Sequence, residues 1–178
     1  MKDHNAKPIS NATKKILLSL ADTAGSIFES GMRSYRVRPY LTIPRAEIAH
    51  DRRRFEEQGE RRKLRELEKQ KLIELKFEGN KILYRLTDAG YESALKTEIF
   101  TTEAMLPEGE VCIVVFDVPE DIRRVRSSFR ELLKKSDFRM IQKSVWEGER
   151  DVIFQLRDLI KLIKAEDYIL VYRALAIR

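Results

Sequence analysis

The sequence predicts an α+β protein built from two small domains, and three observations lead to this fold class. The chain has 178 residues, which is enough for two domains near the lower end of independently folding size. Charged residues make up 36% of the chain, well above the usual quarter, which is typical of long solvated helices. The residue pattern also changes across residues 99–110, from charged helical repeats to apolar strands that alternate with helices. We therefore expect a linker over residues 99–110 with one domain on each side.

The first predicted helix covers residues 11–30. Its apolar residues recur at helical spacing, and Asn11 or Thr13 is suited to cap its start. The apolar stripe consists of Ile16, Leu17, Leu20, Ala24, Ile27 and Phe28. Gly31 offers an end to this helix. The following stretch MRSYRVRPYLTIPR contains two prolines and predicts a connection with little regular structure.

Residues 45–70 are again helical in pattern and densely charged. Gly59 predicts a break that divides them into two helices. The next stretch, KLIELKFEGNKILYR, alternates apolar and polar residues around the turn EGN, which is typical of a β-hairpin. Thr87 or Asp88 in the phrase LTDAG then caps a further helix.

These elements come in a recognisable order. Helix, helix, basic helix, two-stranded wing and helix is the order of a winged helix-turn-helix, which we predict for residues 1–98. The ending of this region, LIE followed by YRLTDAG, also resembles the generic winged-helix ending of many bacterial regulators.

Beyond the linker, six predicted elements alternate regularly. VCIVVFDV predicts a buried strand, EDIRRVRSSFRELLKKS a helix, FRMIQKSVWEG two short strands, RDVIFQLRDLIKLIK a second helix and YILVYRALAI a closing strand. Strand, helix, strand, strand, helix, strand is the ferredoxin-like (βαββαβ) arrangement. We predict this fold for residues 110–178, with Trp146, Phe138 and Tyr172 as core or dimer contacts.

The net charge of +6 is concentrated in one part of the chain. Residues 33–71 hold 13 Lys and Arg against 7 Asp and Glu, an excess equal to the net charge of the whole protein. A helix that presents several cations on one face releases counterions when it docks along DNA phosphates, and the start of a recognition helix reaches base edges. The predicted DNA-binding residues are Arg52, Arg53, Arg54, Gln58, Arg61, Arg62, Arg65, Lys69 and, at the wing tip, Asn80 and Lys81.

The same charges have a simpler interpretation as the solvated faces of charged helices. In that alternative, glutamates at helical spacing pair with the cations and bind no partner. The hairpin that directly follows the basic helix favours DNA binding, because the order of elements and the charge then agree.

A family resemblance is carried by VVFDVPED, the basic amphipathic helix after it, IQKSVWEGE and YILVYRA. These stretches make residues 111–174 similar to the ferredoxin-fold endonucleases of CRISPR adaptation, known as Cas Two, and equally similar to the central domain of the PaaX-type transcriptional repressors. The endonucleases usually consist of this domain alone, whereas PaaX-type repressors carry a winged helix in front of it. The predicted order of domains matches the second arrangement.

Asp117 is the residue on which the two resemblances differ. In the endonuclease family, the aspartate at the end of the first strand meets its counterpart in a dimer, and the pair holds one divalent cation. The resemblance therefore implies Asp117 as a ligand of Mg²⁺ or Mn²⁺, which suits paired carboxylates. The other interpretation is an ordinary strand end or helix cap. His4 and His50 lie in the other half of the chain and are not expected to be ligands.

The sequence thus predicts a DNA-binding transcriptional regulator that resembles the PaaX type, acts as a repressor and dimerises through its ferredoxin-like domain. The expected partners are double-stranded DNA and a second copy of the chain, and no cofactor is expected. One alternative is a metal-dependent nuclease or CRISPR adaptation subunit with a winged-helix extension, for which Mg²⁺ or Mn²⁺ would be the cofactor. Another is a ferredoxin-like scaffold for a second protein.

Location is predicted from what the sequence lacks. No window approaches the ~18 apolar residues of a membrane span, and the start MKDHNAKPISNATKK lacks the features of a secretory signal. The single cysteine, Cys112, lies in the apolar run VCIVVF and is typical of a buried thiol in a reducing compartment. We expect a cytoplasmic protein that has no membrane partner.

Overall fold

The computed structural model of the chain describes residues 11–29, 41–42, 53–78 and 81–176. The chain divides into two compact units, Met1–Ala94 and Leu95–Arg178, and the division falls inside a helix. Both units mix helices and strands, as the sequence predicts. The functional assignment of residues 1–98 and 110–178 as separate domains stays a prediction.

The first unit contains three helices and three strands in its described part. In chain order they are α1 (Asn11–Glu29), β1 (Leu41–Thr42), α2 (Arg53–Lys69), β2 (Ile73–Glu78), β3 (Lys81–Leu86) and α3 (Asp88–Thr101), whose last residues belong to the second unit. The strands form one antiparallel sheet in the order β1-β3-β2. The predicted hairpin is therefore confirmed as β2 and β3.

One prediction in this region is wrong. Gly59 does not break the basic segment, because α2 runs through it as one helix. A single glycine inside a helix destabilises it by only about 1 kcal/mol relative to alanine. Burial of Leu64 and Leu67 stabilises the same helix by more than this. In the segment predicted to have little regular structure, the described residues are the short strand β1, whose Leu41 and Thr42 pair with β3.

The core of the first unit lies between α1, α2 and the hairpin. Leu17 on α1, Leu67 on α2, and Ile73 and Tyr84 on the hairpin are almost fully buried there. The Tyr84 hydroxyl donates a hydrogen bond of 3.0 Å to the backbone carbonyl of Leu20. This bond satisfies the polar atom of an otherwise apolar contact and fixes the hairpin against α1.

The connection from α2 to β2 is a tight helix end. The Leu72 amide donates to the carbonyl of Leu67 at 2.9 Å, and the Lys71 amide donates to that of Glu68 at 2.8 Å. Lys71 has a φ of 58°, so the end has the hydrogen bonds and the left-handed residue of a Schellman motif. The direction in which the hairpin leaves α2 is thereby fixed.

Thr87 caps α3, which confirms one of the two predicted caps. Its hydroxyl oxygen accepts a 3.0 Å hydrogen bond from the Gly90 amide and donates to the carbonyl of Lys71 at 2.6 Å. Through these bonds one side chain joins the start of α3 to the turn that follows α2.

The second unit contains the predicted ferredoxin-like arrangement. Its elements are β4 (Glu110–Phe116), a short 3₁₀ helix (Glu120–Ile122), α4 (Arg123–Lys135), β5 (Arg139–Gln142), β6 (Val145–Gly148), α5 (Ile153–Leu162) and β7 (Ile169–Leu175). All strands pair antiparallel in the order β5-β6-β4-β7. The first strand thus lies between the third and the fourth, which confirms the split βαβ topology.

The four-stranded sheet has one covered and one open face. Cys112, Val114 and Phe116 of β4 are fully buried, and the Phe116 ring meets Phe129 of α4 edge to face at 6.4 Å between ring centroids. Strand alternation places Ile113 and Val115 on the other face, where they are half-buried. The helices therefore cover one side of the sheet, where Trp146 is also buried.

No helix in the described ranges is long and apolar enough to span a membrane.

Candidate nucleic-acid interface

The candidate interface is one face of α2. Leu64 and Leu67 turn into the core, whereas Arg61, Arg62, Arg65 and Lys69 are exposed. At 100° per residue, these four cations fall within about a quarter of the helix circumference. The exposure predicted from the sequence for the four side chains is confirmed.

The four cations are not neutralised by the described part of the chain. None of them forms an ion pair with another described side chain, and the glutamate beside them, Glu66, accepts a 3.1 Å hydrogen bond from the hydroxyl of Thr13 on α1. Thr13 therefore does not cap α1 but lies within it and anchors it to α2. The alternative, in which glutamates at helical spacing pair with the cations, is not supported for Glu66 and Glu68, and it stays open for Glu56, Glu57 and Glu60, whose side chains lie outside the described residues.

The cationic face borders an open cavity with a volume of about 630 Å³. Its described lining residues are Arg61, Arg62, Arg65, Glu66 and Lys69. Unpaired cations around a surface open to solvent attract an extended anion such as a phosphate backbone.

The other predicted DNA-binding residues are covered only in part. Arg53, Arg54 and Gln58 belong to the first turns of α2 and Lys81 to the start of β3, but their side chains lie outside the described residues. Arg52 and Asn80 lie outside the described residues altogether.

The hairpin beside α2 carries its own charges. Glu74 and Arg85 form a cross-strand ion pair, and Lys76 is exposed one position further along the same face of β2. The apolar residues of β2 lie on the opposite face.

Asp117 follows directly after β4 and is exposed. Its amide donates to the carbonyl of Tyr168 at 2.9 Å, and the Phe116 amide donates to that of Ser144 at 3.0 Å, so the end of the strand is held from both sides. No hydrogen bond or ion pair joins the Asp117 carboxylate to another described side chain. The described residues also contain no group of three or more His, Cys, Asp or Glu side chains that could hold a metal ion.

Arg130 on α4 is a residue that sequence analysis missed. Its guanidinium donates to the carbonyl of Lys143 at 2.9 Å and lies 5.6 Å from the centroid of the Phe116 ring. It thereby holds the turn between β5 and β6 beside the end of β4. The sequence carries no signal for this role, because Arg130 is one of several arginines in a basic helix and its contacts are tertiary.

Comparison with known proteins finds a similarity for the second unit. No curated protein matches the chain. The family described as the PaaX protein central Cas2-like domain matches residues 107–177, which include every strand and helix from β4 to β7. Over residues 107–177 this chain is therefore similar to the PaaX protein central Cas2-like domain.

Proposed function

We propose that this protein is a DNA-binding transcriptional regulator of the PaaX type that acts as a repressor. The observation that carries the proposal is the exposed face of α2, where Arg61, Arg62, Arg65 and Lys69 have no ion-pair partner among the described residues. Such a face suits the regularly spaced charges of duplex DNA. The match of residues 107–177 to a domain of PaaX proteins supports the same conclusion. A regulator of this kind works in the compartment of the chromosome, so we propose a cytoplasmic location.

The first unit would act as a winged helix-turn-helix. In support of this, a basic helix runs directly into a two-stranded hairpin, and a third strand from between α1 and α2 pairs with the far strand of that hairpin. In this assignment α2 is the recognition helix and the β2–β3 hairpin is the wing. Gln58 and the first arginines of α2 would then lie at the end of the helix that reaches base edges.

The second unit would join two copies of the chain. Its open sheet face carries Ile113 and Val115 at its centre and, paired with them in register, Tyr172 and Leu170, which are 50% and 48% exposed. An apolar sheet face of this kind is typical of an interface between subunits. A two-fold dimer would present two α2 helices to the two halves of a palindromic operator.

A gel-shift titration over a range of salt concentrations tests the DNA-binding proposal. The double variant Arg61→Ala and Arg65→Ala should bind duplex DNA more weakly, with a salt slope smaller by roughly two charges. The matched control is Arg157→Ala and Lys161→Ala, which removes two exposed cations at the same spacing from α5. If both variants bind DNA as wild type does, α2 is not the DNA-binding helix. If wild type binds no DNA at low salt, the protein is not a DNA-binding regulator and the scaffold alternative gains.

A metal-dependent nuclease is the second candidate, and the exposed, unengaged carboxylate of Asp117 in a Cas2-like domain is the observation that favours it. In this candidate, Asp117 from two copies of the chain would hold a divalent cation. Bound there, Mg²⁺ or Mn²⁺ would supply an activated water for phosphodiester hydrolysis. Incubation of wild type and Asp117→Asn with DNA, with and without these ions, separates the candidates. Cleavage that needs both the metal and Asp117 would replace the regulator proposal.

A further inference from the structure

The apolar stripe of β2 extends beyond the core of the first unit. Ile73, Leu75 and Phe77 alternate onto one face of the strand. Ile73 is 1% exposed and Leu75 is half-buried, but Phe77, nearest to the turn, is 66% exposed. The hairpin thus places a large aromatic ring in solvent beyond the edge of its own core.

Packing inside the described part of the chain does not account for this ring. Most of the side chain contacts no protein, so its apolar area gives little stability to the fold. A polar residue would serve an exposed strand position equally well, as Lys76 does next to it. A partner that covers the ring when bound would account for its place.

The exposed charges of the first unit favour an anionic partner. Lys76 precedes Phe77 on the opposite face of β2, Lys71 is exposed in the turn before this strand, and α2 contributes the four cations described above. The Schellman end of α2 and the cap of Thr87 fix the hairpin relative to that helix within one unit. A purely apolar protein surface would not match the cations of this unit, whereas DNA offers phosphates around a stacked apolar interior.

We propose that Phe77 is an apolar wedge that inserts between two stacked base pairs of the DNA bound by α2. This inference rests on the proposed function and adds to it a bend in the operator. Wedges of this kind unstack one base step and kink the duplex by roughly 20° to 90°. The flexible pyrimidine–purine steps cost least to open, so the protein should prefer such a step at the position of the wing.

The experiment measures base stacking and DNA bending separately from binding. Wild type selects a duplex from a random 40-base-pair library, and 2-aminopurine then replaces adenines of that duplex one at a time. We expect the fluorescence to rise several-fold at one step when wild type binds, and energy transfer between the DNA ends to report a bend. Phe77→Ala should lose both signals while it still binds, and Phe77→Leu should keep most of both because it remains apolar.

The matched control is Phe154→Ala on α5, which removes a ring of similar exposure, 70%, from the second unit. It should leave both signals unchanged. Thermal unfolding of each variant confirms that it is folded, as expected for an exposed side chain.

The outcomes separate the two proposals. If wild type selects no duplex, the DNA-binding function fails and the wedge fails with it. If wild type binds DNA but the signals are absent, or are the same in Phe77→Ala, the wedge alone is overturned, and Phe77 serves another partner such as a second protein.

Discussion

The backbone of Gly90 in α3 lies directly against the carbonyl group of Leu72, at the turn that follows α2. A β-carbon on Gly90 would overlap the Leu72 oxygen and lie 2.8 Å from its carbonyl carbon. The same carbonyl accepts a hydrogen bond of 3.1 Å from the Thr87 amide. The phrase LTDAG therefore combines a helix cap with a glycine that lets α3 start close to the hairpin.

Substitution of this glycine should destabilise the first unit. We expect Gly90→Ala to lower the free energy of unfolding by ~3 kcal/mol, because backbone has to move to make room for the methyl group. Gly59→Ala is the control, since nothing lies within 4 Å of its β-carbon position and alanine favours a helix. It should raise stability by up to about 1 kcal/mol. Urea unfolding followed by circular dichroism measures both, and equal effects of the two would contradict the close contact.

Lys71 provides a prediction of the opposite sign. It holds a φ of 58° at the end of α2, where glycine is free of the strain that a β-carbon brings. Lys71→Gly should therefore raise the free energy of unfolding by ~0.5 kcal/mol. Glu68→Gly, inside the same helix, should lower it by about 1 kcal/mol. A loss of stability in both variants would mean that Lys71 is not strained. Differential scanning calorimetry distinguishes the stabilisation expected for Lys71→Gly from the destabilisation expected for Glu68→Gly.

Cys112 makes stability depend on pH. Burial, aided by the negative charge of Asp151, raises the pKa of its thiol from 9.0 to about 12. The folded protein therefore keeps this proton between those values while the unfolded chain loses it. The protonated, buried thiol therefore makes its full contribution to the free energy of unfolding below the unfolded pKa of 9.0. This contribution is lost as the pH rises towards about 12.

The measurement is denaturant unfolding at about pH 8 and about pH 10 for wild type and Cys112→Ala. Other groups also change the stability in this pH range. The comparison of wild type with Cys112→Ala removes their contribution, because both proteins contain them. We expect the stability difference between the two proteins to shift in favour of Cys112→Ala at the higher pH. A difference that is independent of pH would show that the thiol is accessible to water in the folded state.

The open sheet face predicts which substitution disrupts the proposed dimer. Tyr172→Arg places a charge on this face, on the edge strand β7 and opposite Ile113 in register, and should shift the protein to monomers in sedimentation analysis. Leu175→Arg is the control, because this residue of the same strand is 74% exposed and alternates to the other face. If Tyr172→Arg and wild type sediment alike, the open face is not the interface.

Local patterns predicted the second unit well because each element there has a clear period. Phe129, Leu132 and Leu133 follow the spacing of a helix, and all three are buried. The sequence predicts that Tyr172 lies on a strand. It does not predict whether the sheet face that carries Tyr172 is buried, because burial depends on what packs against that face. The two short strands around the turn at residues 143–144 were predicted from one extended stretch, although all four residues of β5 are exposed.

The first unit was harder to predict because its signals are weaker. β1 has two residues, too few for any alternation, and forms only because β3 offers an edge. The break predicted at Gly59 relied on propensity alone, which packing of the same helix overrides. In the candidate site, cation exposure could be predicted from helix periodicity, whereas the contact of Arg130 with the Lys143 carbonyl required the tertiary fold.

The place of β4 in its sheet determines when the second unit can fold during synthesis. Both neighbours of β4, β6 and β7, follow it in the chain, so a growing polypeptide leaves the ribosome with the apolar run VCIVVF unpaired on both edges. The first unit already has its hairpin and α2 by then. Translation therefore separates two folding events in time, and the apolar run of β4 is most exposed to aggregation in the interval before β7 emerges.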